Sequence, residues 1–128
     1  MSIKRLSASD MQRIAGVSFK QNRTISWHGN NVVVRQFLPL AEYMQMINDI
    51  MNDCRGGNDI FAPELLDFAI KTNVITYYAF VNLPEDPNML FEIVYGTDLY
   101  DTICKYANKS QVDSVYKYIS MIMGAMNQ

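Results

Sequence analysis

The chain has 128 residues, of which 49% are hydrophobic and 19% charged, with a net charge of −2. This length gives one domain able to bury a core, and this composition excludes a disordered chain. No apolar run reaches the length of a membrane span, and the start, MSIKRLSASDMQRIAG, lacks the apolar segment of a secretory signal.

Residues 1–23 read as a basic N-terminal arm, and 24–128 as a single helical domain. Within residues 1–35, Lys4, Arg5, Arg13, Lys20, Arg23 and Arg35 stand against Asp10 alone, a net of +5. The rest of the chain holds five basic and twelve acidic residues, a net of −7. A basic head on an acidic body can fold back on itself, dock on a neighbouring copy, or meet an acidic partner. A solvated arm with no partner is the plain alternative. The pI of about 5.2 argues against direct binding of nucleic acid. Ser7 to Asp10 offer caps for a short helix, Met11 to Ala15, that Gly16 would end.

Thr24 to Phe37 reads as a β-hairpin. Ile25 and Trp27 alternate with Ser26, Val32 to Val34 follow, and His28, Gly29, Asn30 and Asn31 supply the turn. Two strands alone are not stable in water, so the hairpin must lie on the helices or pair with another copy. Trp27 beside Arg23 could stack on a base, but an aromatic contributes more as the anchor of the hairpin to the core.

Pro39 then suits a first helical position, and the helix 39–54 has a clean amphipathic pattern. Leu40, Tyr43, Met44, Ile47, Ile50, Met51 and Cys54 make the apolar stripe. Glu42, Gln45, Asn48, Asp49, Asn52 and Asp53 make the polar face, Met46 falls off the stripe, and Gly56-Gly57 stops the helix. The spacing predicts a central helix from Pro63 to Val81, apolar almost all round, with a polar stripe of Glu64, Asp67 and Lys71. The β-branched, aromatic run Val74 to Val81 leaves a strand as the alternative there.

Asp86 caps and Pro87 opens a short helix through Met89 to Tyr95, MLFEIVY, ended by Gly96, again with a strand as the alternative. Thr97 caps a second short helix through Ala107, with Leu99 and Ile103 facing inward. Ser110 and Asp113 resemble a capping box for a last helix with Val112, Val115, Tyr116, Ile119, Met123 and Met126 in one stripe. The fold class is mainly α, four to five helices with an N-terminal β-hairpin.

Little here carries chemistry. His28 is the only histidine and sits in a turn, while Cys54 and Cys104 stand on apolar stripes with no paired spacing, as expected of reduced thiols in a cytoplasmic protein. A Cys–His enzyme would need His28 brought to one of them in space. Asp98 and Asp101 are one turn apart near a helix start, where carboxylates complement the helix dipole. The expectation is a protein that is not an enzyme and needs no cofactor or metal. Nine methionines and eight tyrosines lean the composition toward interfaces.

The order of anchors is a hairpin, then LPLAEYMQMINDIM (38–51), FAPELLDFAI (61–70) with VITYY (74–78), and YGTDLYDTI (95–103). It resembles small virion-morphogenesis proteins of tailed bacteriophages, with Tyr43 standing where that pattern carries lysine. The resemblance covers about residues 32–105 and is one of packing positions, so no functional residue is carried over. It implies a non-enzymatic phage protein in the host bacterial cytoplasm, with or without incorporation in the virion. The leading expectation is a structural or assembly component, such as a head–tail connector, tail-completion protein or tail assembly chaperone. It would form homo-oligomers and contact other virion proteins, its head of Lys4, Arg5, Arg13, Lys20, Arg23, Trp27 and Arg35 meeting a neighbour's acidic body and its hairpin supplying the pairing edge. The alternative is an inhibitor of a bacterial defence system, like anti-CRISPR proteins, presenting acids such as Asp49, Asp53 and Asp59 to the basic channel of a nuclease complex.

Overall fold

A computed structural model describes residues 5–19, 22–55 and 62–126. Lys4, Lys20, the expected stop at Gly56-Gly57 and Asp59 lie outside the described residues. The order is α1 (Ala8–Phe19), β1 (Arg23–Trp27), β2 (Asn30–Val34), α2 (Leu40–Asp53), a 3-10 turn (Pro63–Leu65), α3 (Leu66–Tyr78), α4 (Pro87–Gly96), α5 (Leu99–Cys104) and α6 (Lys109–Met126). The fold is mainly α with an N-terminal antiparallel hairpin, five helices forming the body and α1 the arm.

Each element has a local cause. α1 begins where the Ser7 hydroxyl accepts the Asp10 amide at 3.1 Å, and it runs through Gly16 to Phe19, past the expected stop. A single glycine costs a helix only about 1 kcal/mol, less than a helix end needs to be enforced. The hairpin turn is two residues long, His28 at φ 49° and Gly29 at φ 77°, so Asn30 and Asn31 belong to β2 and pair with Trp27 and Ser26. Positive φ at both central residues matches the twist of the two strands. Pro39 stands just before α2, at its N-cap with ψ 156°, and not inside its first turn. α4 has the expected start: Asp86 accepts the Met89 amide at 3.2 Å and Pro87 is its first residue. α6 is capped by Asn108, whose Oδ1 accepts the Gln111 amide at 3.0 Å, and not by Ser110 with Asp113. Asp113 instead pairs with Lys109 at 2.7 Å on the helix surface.

The central helix is shorter than its periodicity predicts. α3 ends at Tyr78, and Ala79 turns extended at φ −125° and ψ 143°. The chain then pairs with β2: Arg35 donates its amide to the Tyr78 carbonyl at 2.7 Å, and the Phe80 amide donates to the Val33 carbonyl at 3.0 Å. The valine edge of β2 is an unsatisfied ladder, and two residues of the central segment satisfy it. Among the described residues, β1 is left as the outer edge of the hairpin.

The core gathers around α3. Ile70, Val74, Ile75 and Tyr78 are fully buried with Ile50 and Met46 of α2, Ile103 of α5, and Val115 and Ile119 of α6. Met46 is a core residue although it sits off the expected stripe, while Leu40 is 77% exposed. The buried side of α2 is therefore rotated toward Met46 and Cys54. Ile25, Val32 and Val34 close the hairpin against the same core. Among the described residues, no helix is long and apolar enough to cross a membrane.

Candidate functional site

α4, PNMLFEIVYG, carries one charged residue, Glu92. A ten-residue helix of that composition should be buried, yet only Val94 is fully so. Leu90 and Ile93 pack partly on the core, while Phe91 and Met89 are 56% and 52% exposed. Phe91 and Tyr95 are one turn apart, their ring centroids at 4.9 Å, and both approach Phe68 of α3, at 5.8 and 6.0 Å. The result is an aromatic cluster on the outside of the molecule.

A polar network holds this cluster in place. Asp67 of α3 accepts the Tyr95 hydroxyl at 2.6 Å on one oxygen and the Tyr116 hydroxyl at 3.0 Å on the other. Lys71 lies 3.1 Å from Asp67 and 4.9 Å from the Tyr95 ring centroid, a cation over an aromatic face. Partial burial raises the Asp67 pKa, but the hydrogen bonds from Tyr95, Lys71 and Tyr116 outweigh it and hold the carboxyl below the usual range. Burial first, and the bond to Asp67 second, push Tyr95 and Tyr116 up to about 12. At neutral pH the acid is ionised and both phenols are neutral donors, a fixed brace.

Beside the cluster runs a groove of about 320 Å³ lined by Asp53, Leu65, Phe68, Ala69, Thr72, Glu85, Pro87 and Leu90. Its floor is apolar, two of its lining side chains are carboxylates, and among the described residues no lysine or arginine lines it. Glu64 and Asp86, chain neighbours of Leu65 and Glu85, are exposed. An apolar groove rimmed by acid suits a segment that is itself apolar and basic. A second groove, about 520 Å³, lies between Phe37, Leu40 and Tyr43 on one side and Gln111, Ser114 and Tyr118 of α6 on the other.

The residues singled out from sequence fall in separate settings. Arg5 is exposed, and Arg13 pairs with Asp10 within α1 at 3.2 Å. Arg23 opens β1, and Arg35 pairs with Glu42 of α2 at 2.5 Å. Trp27 packs against the core and donates its indole N–H to Asp98 at 2.8 Å, fixing the hairpin to the start of α5. Asp49 accepts the Tyr77 hydroxyl, and Asp53 accepts the Asn73 amide at 2.8 Å, so both acids brace α2 to α3. Burial, with the bond to Asp49, pushes Tyr77 up to about 12.

His28 and the thiols have different neighbours. The imidazole meets the Trp27 ring edge-on at 4.7 Å and lies 3.9 Å from Asp98. Cys54 is buried and Cys104 half-buried, both are free, and burial pushes both thiols up, away from the reactive thiolate.

Sequence reasoning missed two features. One is the α4 face, although the run MLFEIVY was its signal. The other is Gln111, whose Oε1 accepts the Leu38 amide at 3.0 Å and the Tyr78 hydroxyl at 2.7 Å while its Nε2 donates to the Leu38 carbonyl at 2.9 Å. No local pattern marks a glutamine as the partner of a backbone far away in the chain. No protein-family model matches the sequence, and neither a curated protein nor a solved structure matches it.

Proposed function

We propose that the protein acts by protein–protein contact and not by catalysis, as an assembly component of a phage particle that joins copies of itself and other virion proteins. The observation that carries this reading is the α4 face, where Met89, Phe91 and Tyr95 are exposed and the rings of Phe91 and Tyr95 gather with Phe68 into one aromatic cluster. Contiguous exposed aromatic surface beside a charged rim is typical of partner surfaces. The order of packing anchors over residues 32–105 supports the phage setting. The protonated thiols and the turn position of His28 support a non-catalytic role.

The test is twofold. Solution mass at low and high salt should give a defined oligomer, and the protein should be found in purified phage particles or their assembly intermediates. A strict monomer absent from both would end this reading. A second reading, inhibition of a defence nuclease complex, is favoured by the exposed carboxylates Glu64, Glu85 and Asp86. It predicts loss of nuclease activity on stoichiometric addition of the protein, and an unaffected nuclease would remove it.

A further inference from the structure

α1 is an uncharged helix with an open apolar side. Met11, Ile14 and Ala15 share that side and are exposed, as is Leu6 just before the helix. Its one acid and one base, Asp10 and Arg13, pair with each other at 3.2 Å, so the helix is net neutral. An isolated helix shorter than about 15 residues is marginal in water without tertiary packing. The surface that matches α1 is therefore apolar and uncharged.

The groove between α2 and α6 has that character. Among the described residues no charged side chain lines it. Its polar groups are spent inside the fold: Gln111 on Leu38 and Tyr78, the Asn108 Oδ1 on the Gln111 amide, the Ser114 hydroxyl on the Ser110 carbonyl at 2.6 Å, and the Tyr43 hydroxyl on the Gln111 carbonyl at 3.4 Å. What remains for an occupant is Phe37, Leu40 and Tyr118, all exposed, with Met44 exposed one turn beyond Leu40. A charged ligand would find no counter-ion there.

The chain connection selects which apolar segment comes first. Asn22, three residues after the end of α1, lines a hollow with Pro39 and Phe80, and this hollow shares Phe37 with the groove. Phe19 is therefore at most about 11 Å from Asn22. So short a tether holds α1 beside the groove at an effective concentration of about millimolar. The acid-rimmed groove beside α4 is further off, about 15–20 Å along α3 from Tyr78 to Phe68 and Leu65, and its carboxylates offer nothing to a neutral helix. We infer that α1 is a strap that closes on the α2–α6 groove of its own chain, setting Met11 and Ile14 against Leu40 and Tyr118. In the closed position the strap withholds this apolar face from partners, and in the open position both surfaces are exposed. The strap is independent of the assembly reading, whose surface is the α4 face.

The test uses the full chain with Cys104→Ser, which leaves the buried Cys54 as the native thiol. Ala15→Cys is combined with Ser110→Cys on the groove, or with Glu64→Cys beside the α4 groove, and each pair is treated with a short bis-maleimide. None of these changes removes an apolar anchor. An equimolar mixture of unlabelled and nitrogen-15 protein is used, so that mass spectrometry separates links within a chain from links between chains. The 15–110 link should form within one chain, at least about tenfold more than the 15–64 link, and Ile14→Asp should lower it by a similar factor, the scale of losing one buried apolar side chain. Hydrogen exchange of the α1 amides, read without the added cysteines, should quicken by a comparable factor in Ile14→Asp. Mixed-isotope links in the majority would overturn the strap and give the groove to a second copy. Equal linking to positions 110 and 64, or linking and exchange indifferent to Ile14→Asp, would overturn it in favour of a free arm. Neither result bears on the oligomer or the phage particle, which decide the assembly reading separately.

Discussion

α3 and α4 are both apolar, and the molecule uses them in opposite ways. α3 carries Asp67 and Lys71 yet buries Ala69, Ile70, Asn73, Val74, Ile75 and Tyr78. α4 carries only Glu92 and fully buries only Val94. The difference is one of neighbours. α3 is packed by α2, α4, α5 and α6, whereas α4 packs on α3 and α5. Apolar composition alone therefore does not say whether a helix is core or exposed surface. What decides it is how many neighbours the fold sets against the helix.

This contrast is open to a series of substitutions. The largest effect is expected on α3, where Ile70→Ala should cost about 3–4 kcal/mol in urea unfolding by leaving a cavity beside fully buried neighbours. Gln111→Ala should come next, at about 3 kcal/mol, because the Leu38 amide and carbonyl and the Tyr78 hydroxyl lose their partner. Retained stability there would mean that water reaches Leu38. On the face, Phe91→Ser should cost about 1 kcal/mol or less, the scale of an exposed aromatic pair. A loss as large as that of Ile70→Ala would place α4 in the core and abolish the contrast.

The seam between the two helices is Asp67. Its pKa is lowered in the fold, so the stability it contributes is present above the ordinary carboxylate range and is lost as pH falls through the depressed value. Asp67→Asn should cost about 1 kcal/mol at neutral pH, discounted because the carboxylate is partly solvated. The gap from wild type should close as thermal midpoints are followed from neutral pH to below 4. A gap independent of pH would assign the effect to hydrogen-bond shape and not to charge. The smallest change expected is at the turn, where His28→Asn should stabilise by roughly a few tenths of a kcal/mol, since asparagine tolerates positive φ better than histidine. A destabilised variant would mean that the Trp27–His28 contact outweighs the backbone preference.

The fold was largely legible where one residue's chemistry decides a local conformation. Asp86-Pro87 starts α4, His28-Gly29 turns the hairpin, and the period of residues 65–78 is helical. The site was less so. The basic residues of positions 1–35 could be read as a group, but the partners of Arg13 and Arg35, Asp10 and Glu42, could not. Asp49 and Asp53 read as a solvent-facing acidic edge, and the structure gives their oxygens to Tyr77 and Asn73. A polar side chain's partner depends on which helix lies opposite, and periodicity on one helix carries no information about the next.

The sequence by itself determined the helical class, the hairpin, the capped start of α4 and the split between a basic arm and an acidic body. Those follow from short-range sterics, caps and charge, which act within a few residues. Only the tertiary structure decided that α3 stops at Tyr78 to pair with β2, that Met46 is core while Leu40 is exposed, and that α4 keeps its aromatic side outside. Those outcomes depend on competition between distant segments for the same buried area and the same backbone hydrogen bonds, and that competition is settled only when the whole chain is packed.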